Sequence, residues 1–230
     1  MKEQLPLPVA LRDGNTLDAF LDSANPEALA AVRALLAGSE PCVWLWGGAD
    51  SGRTHLLEAA IDAEIRRQVP AFYLAAEALA AGGPGLLDGL VGDGGLVCID
   101  DVDRFAGDRR WEEAFFHLFN AMRAAGGRLL FAASGPPPAS GFILPDLVSR
   151  LSSGLVVGMA ALDDAARLAV LSFRAGRRGL ELPPETARYL LTRSSRRLAD
   201  LVALLGELER QAGVHKRRLT VPFVRQVIGG

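Results

Sequence analysis

Gly47-Gly48-Ala49-Asp50-Ser51-Gly52-Arg53-Thr54 is the stretch on which the fold turns. It matches a phosphate-gripping P-loop at every fixed position except one, where arginine stands in place of lysine. Glycines let the backbone turn tightly and bring its N–H groups against phosphate oxygens. The helix that follows adds its positive N-terminal end, and Thr54 offers a hydroxyl to Mg²⁺. Both flanks agree. Cys42-Val43-Trp44-Leu45-Trp46 reads as a buried strand, and Leu56-Leu57-Glu58-Ala59-Ala60-Ile61 opens an amphipathic helix. Arginine keeps the charge but replaces a compact ammonium with a planar fork, which favours phosphate binding over rapid hydrolysis. The bland reading of the same residues is a glycine-rich turn before an ordinary helix.

Working outward, elements alternate. Asn25-Pro26 is a helix start, with Asn as cap and Pro at the first helical position, and that helix stops at Gly38. Strand 42–46, the loop and helix 54–67 come next, then a short strand over residues 71–75. Gly82, Gly83, Pro84 and Gly85 break the chain before a short helical piece. Leu96-Val97-Cys98-Ile99 is a buried strand ending in Asp100-Asp101. Residues 110–125 carry Trp111, Ala114, Phe115, Leu118, Phe119 and Met122 at helical spacing. A strand over 129–133 and a Pro-rich loop over 136–138 follow. Such alternation implies a parallel sheet covered on both faces, with its ligand at the carboxyl ends of the strands. After about Val157 strand signals stop. Residues 163–176, 184–193, 195–212 and 221–228 read as four helices. The expected class is α/β, a P-loop core of the AAA+ ATPase layout with a C-terminal all-helical lid. Its expected divisions are an N-terminal peptide over 1–10, the nucleotide-binding domain over 11–160 and the lid over 161–230.

Bulk properties narrow the function classes. Half of the 230 residues are hydrophobic, enough for one sizeable core and a satellite domain. A net charge of −2 offers no basic field for nucleic acid. Cys42 and Cys98 both lie in apolar strand runs and read as buried free thiols, without metal spacing or a disulfide framework. No stretch approaches the roughly 20 apolar residues of a membrane span, so a soluble, cytoplasmic protein is expected.

Several side chains carry chemistry in this frame. Asp100 ends its strand where a Walker-B carboxylate holds Mg²⁺ through water, and Asp101 beside it is placed to orient an attacking water. An N-cap or turn is the alternative for both, and Asp103 reads as a cap or solvated turn residue. Ser134 ends the next strand, either as a polar sensor of the terminal phosphate or as a turn serine. Arg150 lies on a short helix before a strand over 154–157. Either it inserts into a neighbour's nucleotide site as an arginine finger, or it pairs with Asp146 on its own helix. Arg196 begins a lid helix and either folds back onto phosphates or shares a solvated basic face with Arg193 and Arg197. His55, His117 and His215 have no matching carboxylate spacing for a metal site or triad. The run His215-Lys216-Arg217-Arg218 reads as a solvated turn packed under the last helix, with weak nucleic-acid contact as the alternative.

Gln4-Leu5-Pro6-Leu7-Pro8-Val9 is too short and proline-rich for core structure. Its prolines pre-set an extended backbone, which lowers the ordering cost of docking in a groove. An arm packed on its own domain is equally compatible with the composition.

Taken together, Gln4–Val9, Gly47–Leu57, Val97–Asp101, Leu144–Leu155, Leu180–Pro184 and Arg218–Val224 make the chain resemble the Hda family. These are regulatory inactivators of DnaA within the DnaA-related AAA+ proteins. The resemblance runs from about Gln4 to Ile228. The Gly-Arg-Thr-His ending of the loop is typical of that family. It implies a nucleotide-binding set of Gly47, Gly48, Ala49, Asp50, Ser51, Gly52, Arg53, Thr54, His55, Asp100, Ser134 and Arg196. Thr54 and Asp100 would hold Mg²⁺, and ADP, or ATP, is the implied ligand. Gln4, Leu5, Leu7 and Pro8 match the peptide by which relatives bind the β sliding clamp of DNA polymerase III; Val9 departs from its last leucine. With ADP bound and the clamp on DNA, such proteins stimulate DnaA to hydrolyse ATP. Arg150 falls on their arginine-finger position and Arg196 on their sensor-2 position. Ser134 replaces an acidic residue common in their sensor-1 segment, and Asp101 stands where some relatives carry Asn.

The implied role is a negative regulator of replication initiation that meets DNA only through the clamp and the nucleoid only through the replisome. A finger works across an interface, so self-association or a heteromeric contact is implied. The chain also ends near Gly230, where an initiator would continue into a DNA-binding domain. Two rivals stand beside this reading. One is a DnaA-like adaptor that loads another factor on DNA, against which the weak basic content argues. The other is a slow self-sufficient AAA+ ATPase, against which Arg53 argues and for which Asp101 argues.

Overall fold

The computed structural model describes residues 15–21, 24–91, 94–195, 197–212 and 218–228. The chain divides into two compact units. The first comprises residues 1–20, 26–48 and 52–159; the second comprises 21–25, 49–51 and 160–230.

The first unit is built on a five-stranded parallel sheet. Its strands are β1 (Cys42–Gly47), β2 (Ala71–Ala75), β3 (Leu96–Asp100), β4 (Arg128–Ala133) and β5 (Leu155–Met159), in the order β2-β3-β4-β1-β5. Helices α1 (Pro26–Leu36), α2 (Arg53–Arg66), α3 (Ala76–Gly82), α4 (Arg109–Ala124) and α5 (Pro145–Ser152) belong to the same unit. Consecutive parallel strands need a crossover between them, and α2, α3, α4 and α5 lie in these connections.

The strand side chains alternate between two cores, as a period of two requires. On one face Trp44, Val97, Ile99, Leu129 and Phe131 pack with Phe115, Leu118, Phe119 and Met122 of α4 and with Leu147 and Leu151 of α5. On the other, Val43, Leu45, Cys98, Leu130 and Ala132 pack with Leu29, Val32 and Leu35 of α1 and with Leu56, Leu57, Ala60 and Ile61 of α2. Trp44 is fully buried and satisfies its indole N–H on the Gly135 carbonyl at 3.0 Å. Both cysteines are buried free thiols, as their strand positions led one to expect. Burial pushes Cys42 up to about 12 and Cys98 well above the ordinary thiol value.

The second unit carries α6 (Asp164–Arg177), α7 (Pro184–Arg193), α8 (Leu198–Ala212) and α9 (Val221–Ile228). Asp163 caps α6 by accepting the Ala166 N–H at 2.7 Å, and Pro184 opens α7, where a missing N–H costs nothing. Leu171, Leu190, Leu201, Leu205, Leu208, Leu219 and Val224 form its core. The α/β sheet followed by an all-helical C-terminus is the layout that the alternation of strand and helix signals predicts.

The structure departs from the sequence reading in local details. Helix α3 joins β2 directly, through Ala-rich residues whose period is too short to read. The Pro-rich segment forms a 3-10 turn over Pro137–Ala139. Helix α1 begins at Pro26, which leaves Asn25 at the position read as its cap, and the Asn25 side chain also reaches distant backbone groups. Its amide nitrogen donates to the carbonyls of Ser51 at 3.2 Å and Ala160 at 3.0 Å, while its oxygen accepts the Ala160 N–H at 2.8 Å.

Among the described residues no helix is long and apolar enough to cross a membrane.

Candidate phosphate-binding site

In the strand order, β4 lies between β1 and β3, so the turn after β1, the acidic end of β3 and the end of β4 meet at one pole of the sheet. The glycines of the turn serve different ends. Gly47 is in register with Met159, and a Cβ there would lie 2.4 Å from the Met159 carbonyl oxygen. The sheet itself demands that glycine. Gly52 precedes α2 at φ 96°, where a Cβ would also stand 2.9 Å from the Phe20 ring. A Cβ on Gly48 would meet no atom within 4 Å, so that position keeps the backbone open to whatever approaches the loop.

The residues present fit a phosphate. Helix α2 begins without a side-chain cap and without an acidic residue in its first turn, which leaves its amide groups and positive end for an anion. Ser51 Oγ and Arg53 Nη1 are buried polar atoms without a hydrogen-bond partner among the described residues. Leaving such groups unmade costs about 1–3 kcal/mol each, and more for a charged one. An oxyanion would satisfy the Arg53 nitrogen.

Asp100 is 6% exposed and fully engaged. Its Oδ2 accepts the Thr54 hydroxyl at 2.7 Å and the Tyr73 hydroxyl at 2.9 Å, and its Oδ1 accepts the Asp101 N–H at 3.1 Å. The pairing of Thr54 with Asp100 brings together the two side chains read as Mg²⁺ holders. Tyr73 is a partner that the sequence reading missed. It pairs with Cys98 in the β2–β3 register, two residues before Asp100 and on the same face.

Asp101 lies in the left-handed region at φ 51°, ψ 45°, a conformation that aspartate tolerates better than most residues. Its Oδ1 accepts from Arg53 Nη2 at 3.2 Å. Burial, and then the neighbouring Asp100 charge, raise its carboxyl above the usual range, with Arg53 pulling the other way.

Ser134, exposed at the end of β4, donates both its N–H, at 2.9 Å, and its hydroxyl to Asp103 Oδ2. Asp103 is therefore a bridge between the turn after β3 and the end of β4, where the sequence reading had a cap or a solvated turn. The His55 ring is turned toward Thr16, whose carbonyl lies 3.0 Å from Nε2, and stacks edge-on against Phe20 at 5.3 Å. These contacts tie the loop's helix to the chain that precedes α1.

Arg150 is exposed on α5 while Leu147 and Leu151 are buried beneath it. Its guanidinium makes no ion pair among the described residues, and the pairing with Asp146 is not formed. The entry to α5 is fixed by Glu112, a buried residue in the first turn of α4 that sequence periodicity did not single out. Its carboxylate accepts the N–H groups of Gly107 at 2.8 Å, Ile143 at 2.9 Å and Leu144 at 2.6 Å. Arg196, Gln4, Leu5, Leu7 and Pro8 lie outside the described residues.

Comparison with known proteins bears on the two segments that follow the loop and on the fold. Residues 164–228 match the family described as the Hda lid domain, and residues 92–158 match the bacterial DnaA ATPase domain. A replication initiator DnaA bound to AMPPCP and single-stranded DNA is similar at 25% identity, over 88% of this chain and 69% of that one, with a TM-score of 0.69. Domain III of the Thermotoga maritima replication initiation protein DnaA matches over 95% of this chain and 97% of that one, at 20% identity and a TM-score of 0.75. A variant of RuvB from Thermotoga maritima matches over 94% and 71%, at 16% identity and a TM-score of 0.64. The last two likenesses bear on the fold.

Proposed function

We propose, from the premise that this chain is a DnaA-related AAA+ protein carrying an Hda-type lid, that it is a nucleotide-dependent negative regulator of replication initiation. In this reading it binds ADP, docks on the β sliding clamp through Gln4, Leu5, Leu7 and Pro8, and stimulates hydrolysis of the ATP held by DnaA.

The observation that carries the reading is Arg150: a guanidinium without an ion pair among the described residues, displayed on a helix whose apolar side is anchored in the core. Transferring phosphoryl groups develop charge that such a group stabilises from across an interface. At the loop, Arg53 Nη1 and Ser51 Oγ offer donors to phosphate oxygens, and α2 offers its amide groups. Thr54 and Asp100 are the residues that would hold Mg²⁺, whose bound form neutralises phosphate charge. Arg196 is the lid residue assigned to the phosphates, and the protein works in the cytoplasm with DNA reached through the clamp.

The test is DnaA-bound ATP hydrolysis in the presence of this protein, ADP and clamp-loaded DNA, each component omitted in turn. Stimulation that needs all three supports the reading. Stimulation without the clamp, or none with every component present, refutes it.

A further inference from the structure

We infer that Arg53 does more than replace the usual lysine: it tethers Asp101, and so holds the site in a binding state in preference to a turnover state. The inference rests on the nucleotide-binding reading above and concerns why the loop carries a fork.

A guanidinium presents donors on both terminal nitrogens in one rigid plane, whereas an ammonium is a single compact charge that follows one partner. Here the two terminal nitrogens have different fates. Nη2 lies 3.2 Å from Asp101 Oδ1, and Nη1 is buried without a partner among the described residues. The fork therefore takes a phosphate oxygen on one nitrogen and keeps the carboxylate on the other. The Asp101 end is shaped for this pairing. Its left-handed backbone carries the side chain back toward the loop, and its N–H is pinned on Asp100 Oδ1 at 3.1 Å.

In the nucleotide-binding reading, Asp101 is the carboxylate that would activate water. In that step the water oxygen bonds to the terminal phosphorus while its proton passes to the carboxylate. The bond from phosphorus to the bridging oxygen breaks, and ADP and inorganic phosphate leave. A guanidinium seated on Asp101 Oδ1 competes for the lone pair that the proton needs and holds the carboxylate against the loop. Lysine at the same position would keep the charge on the phosphate and release Asp101.

The experiment compares wild type, Arg53→Lys, Asp101→Asn and the double variant by calorimetry with ADP and with ATP, and by intrinsic ATP hydrolysis. Arg53→Lys should keep ADP affinity within about threefold, since the charge is retained, and raise intrinsic hydrolysis about tenfold or more, a fraction of what a positioned base supplies. Asp101→Asn should leave ADP affinity in place, and it should cancel the rise in the double variant. A merely structural Arg53 would give the opposite pattern, with weakened binding and no gain. Arg53→Lys that binds ATP like wild type yet hydrolyses it no faster overturns the tether, as does loss of ADP binding by that variant. Absence of nucleotide binding by the wild-type protein instead overturns the reading on which the inference rests.

Discussion

The carboxylate of Glu112 accepts the backbone N–H of Leu144 at 2.6 Å, and through that bond a residue on α4 fixes where α5 begins. Leu144 is the last residue before α5, so its placement sets the helix that displays Arg150. A fully buried charge is tolerated here because backbone donors from Gly107, Ile143 and Leu144 surround it. Glu112→Ala should destabilise the protein by about 3 kcal/mol, as donors lose a charged acceptor. Glu112→Gln, at smaller cost, should lower stimulation of DnaA hydrolysis while ADP affinity stays constant. Denaturant melts and calorimetry read the two effects separately, and equal stimulation by Glu112→Gln would contradict the link to Arg150.

Arg150→Ala removes an exposed group without an ion pair, so stability should change by no more than about 0.5 kcal/mol. Stimulation of DnaA should fall by about 10³-fold, the scale of a lost arginine finger. Clamp pull-down and ADP titration should match wild type. Retained stimulation would remove Arg150 from its role.

Deleting residues 1–10, or changing Gln4→Ala, should abolish clamp pull-down while leaving ADP binding in place. Equal capture of the truncated and full chains on immobilised clamp would refute docking through the peptide.

Arg128 and Glu64 form an ion pair at 2.5 Å, with Glu64 without exposure to solvent. Arg67 also reaches Glu64, at 2.9 Å, but from a side chain that is 58% exposed. Arg128→Ala should therefore cost about 3–5 kcal/mol, since a buried carboxylate loses its better partner. Arg67→Ala should cost far less, and equal losses in urea melts would contradict this ranking.

The thiols give a pH signature. Burial raises Cys42 to about 12 and raises Cys98 well above the ordinary thiol value. A raised folded value means that the native state keeps its proton while the unfolded chain releases it. Stability from this source is complete below the unfolded thiol value, about 8.5, and is lost as pH rises from there toward 12. Cys42→Ala/Cys98→Ala should flatten that alkaline slope in urea melts. A thiol reagent at neutral pH should label neither cysteine until the chain unfolds, and rapid native labelling would contradict their burial.

Much of the fold was legible in order and type. Cys42-Val43-Trp44-Leu45-Trp46 is apolar throughout because a central parallel strand is covered on both faces, and that pattern needs no tertiary information. The loop and the acidic end of β3 were legible because their residue types are dictated by backbone geometry and charge. Helix α3 was hidden, being a single Ala-rich turn or two without a strong period. Tyr73 and Glu112 were hidden for another reason: each meets its partner across the fold, 27 and 32 residues away in sequence. Asp103 was misread because the hydroxyl that it accepts belongs to Ser134, 31 residues on.

By itself the sequence determined local matters: strand and helix periods, the glycine turn and the choice of arginine in it. These follow from backbone sterics and side-chain type within a few residues. Only the tertiary structure decided which polar atoms find partners: Asp101 on Arg53, Tyr73 on Asp100, and Arg150 without an ion pair where Asp146 had been within reach. Those outcomes depend on strand order and register, which bring distant groups to hydrogen-bond distance and which no local window encodes.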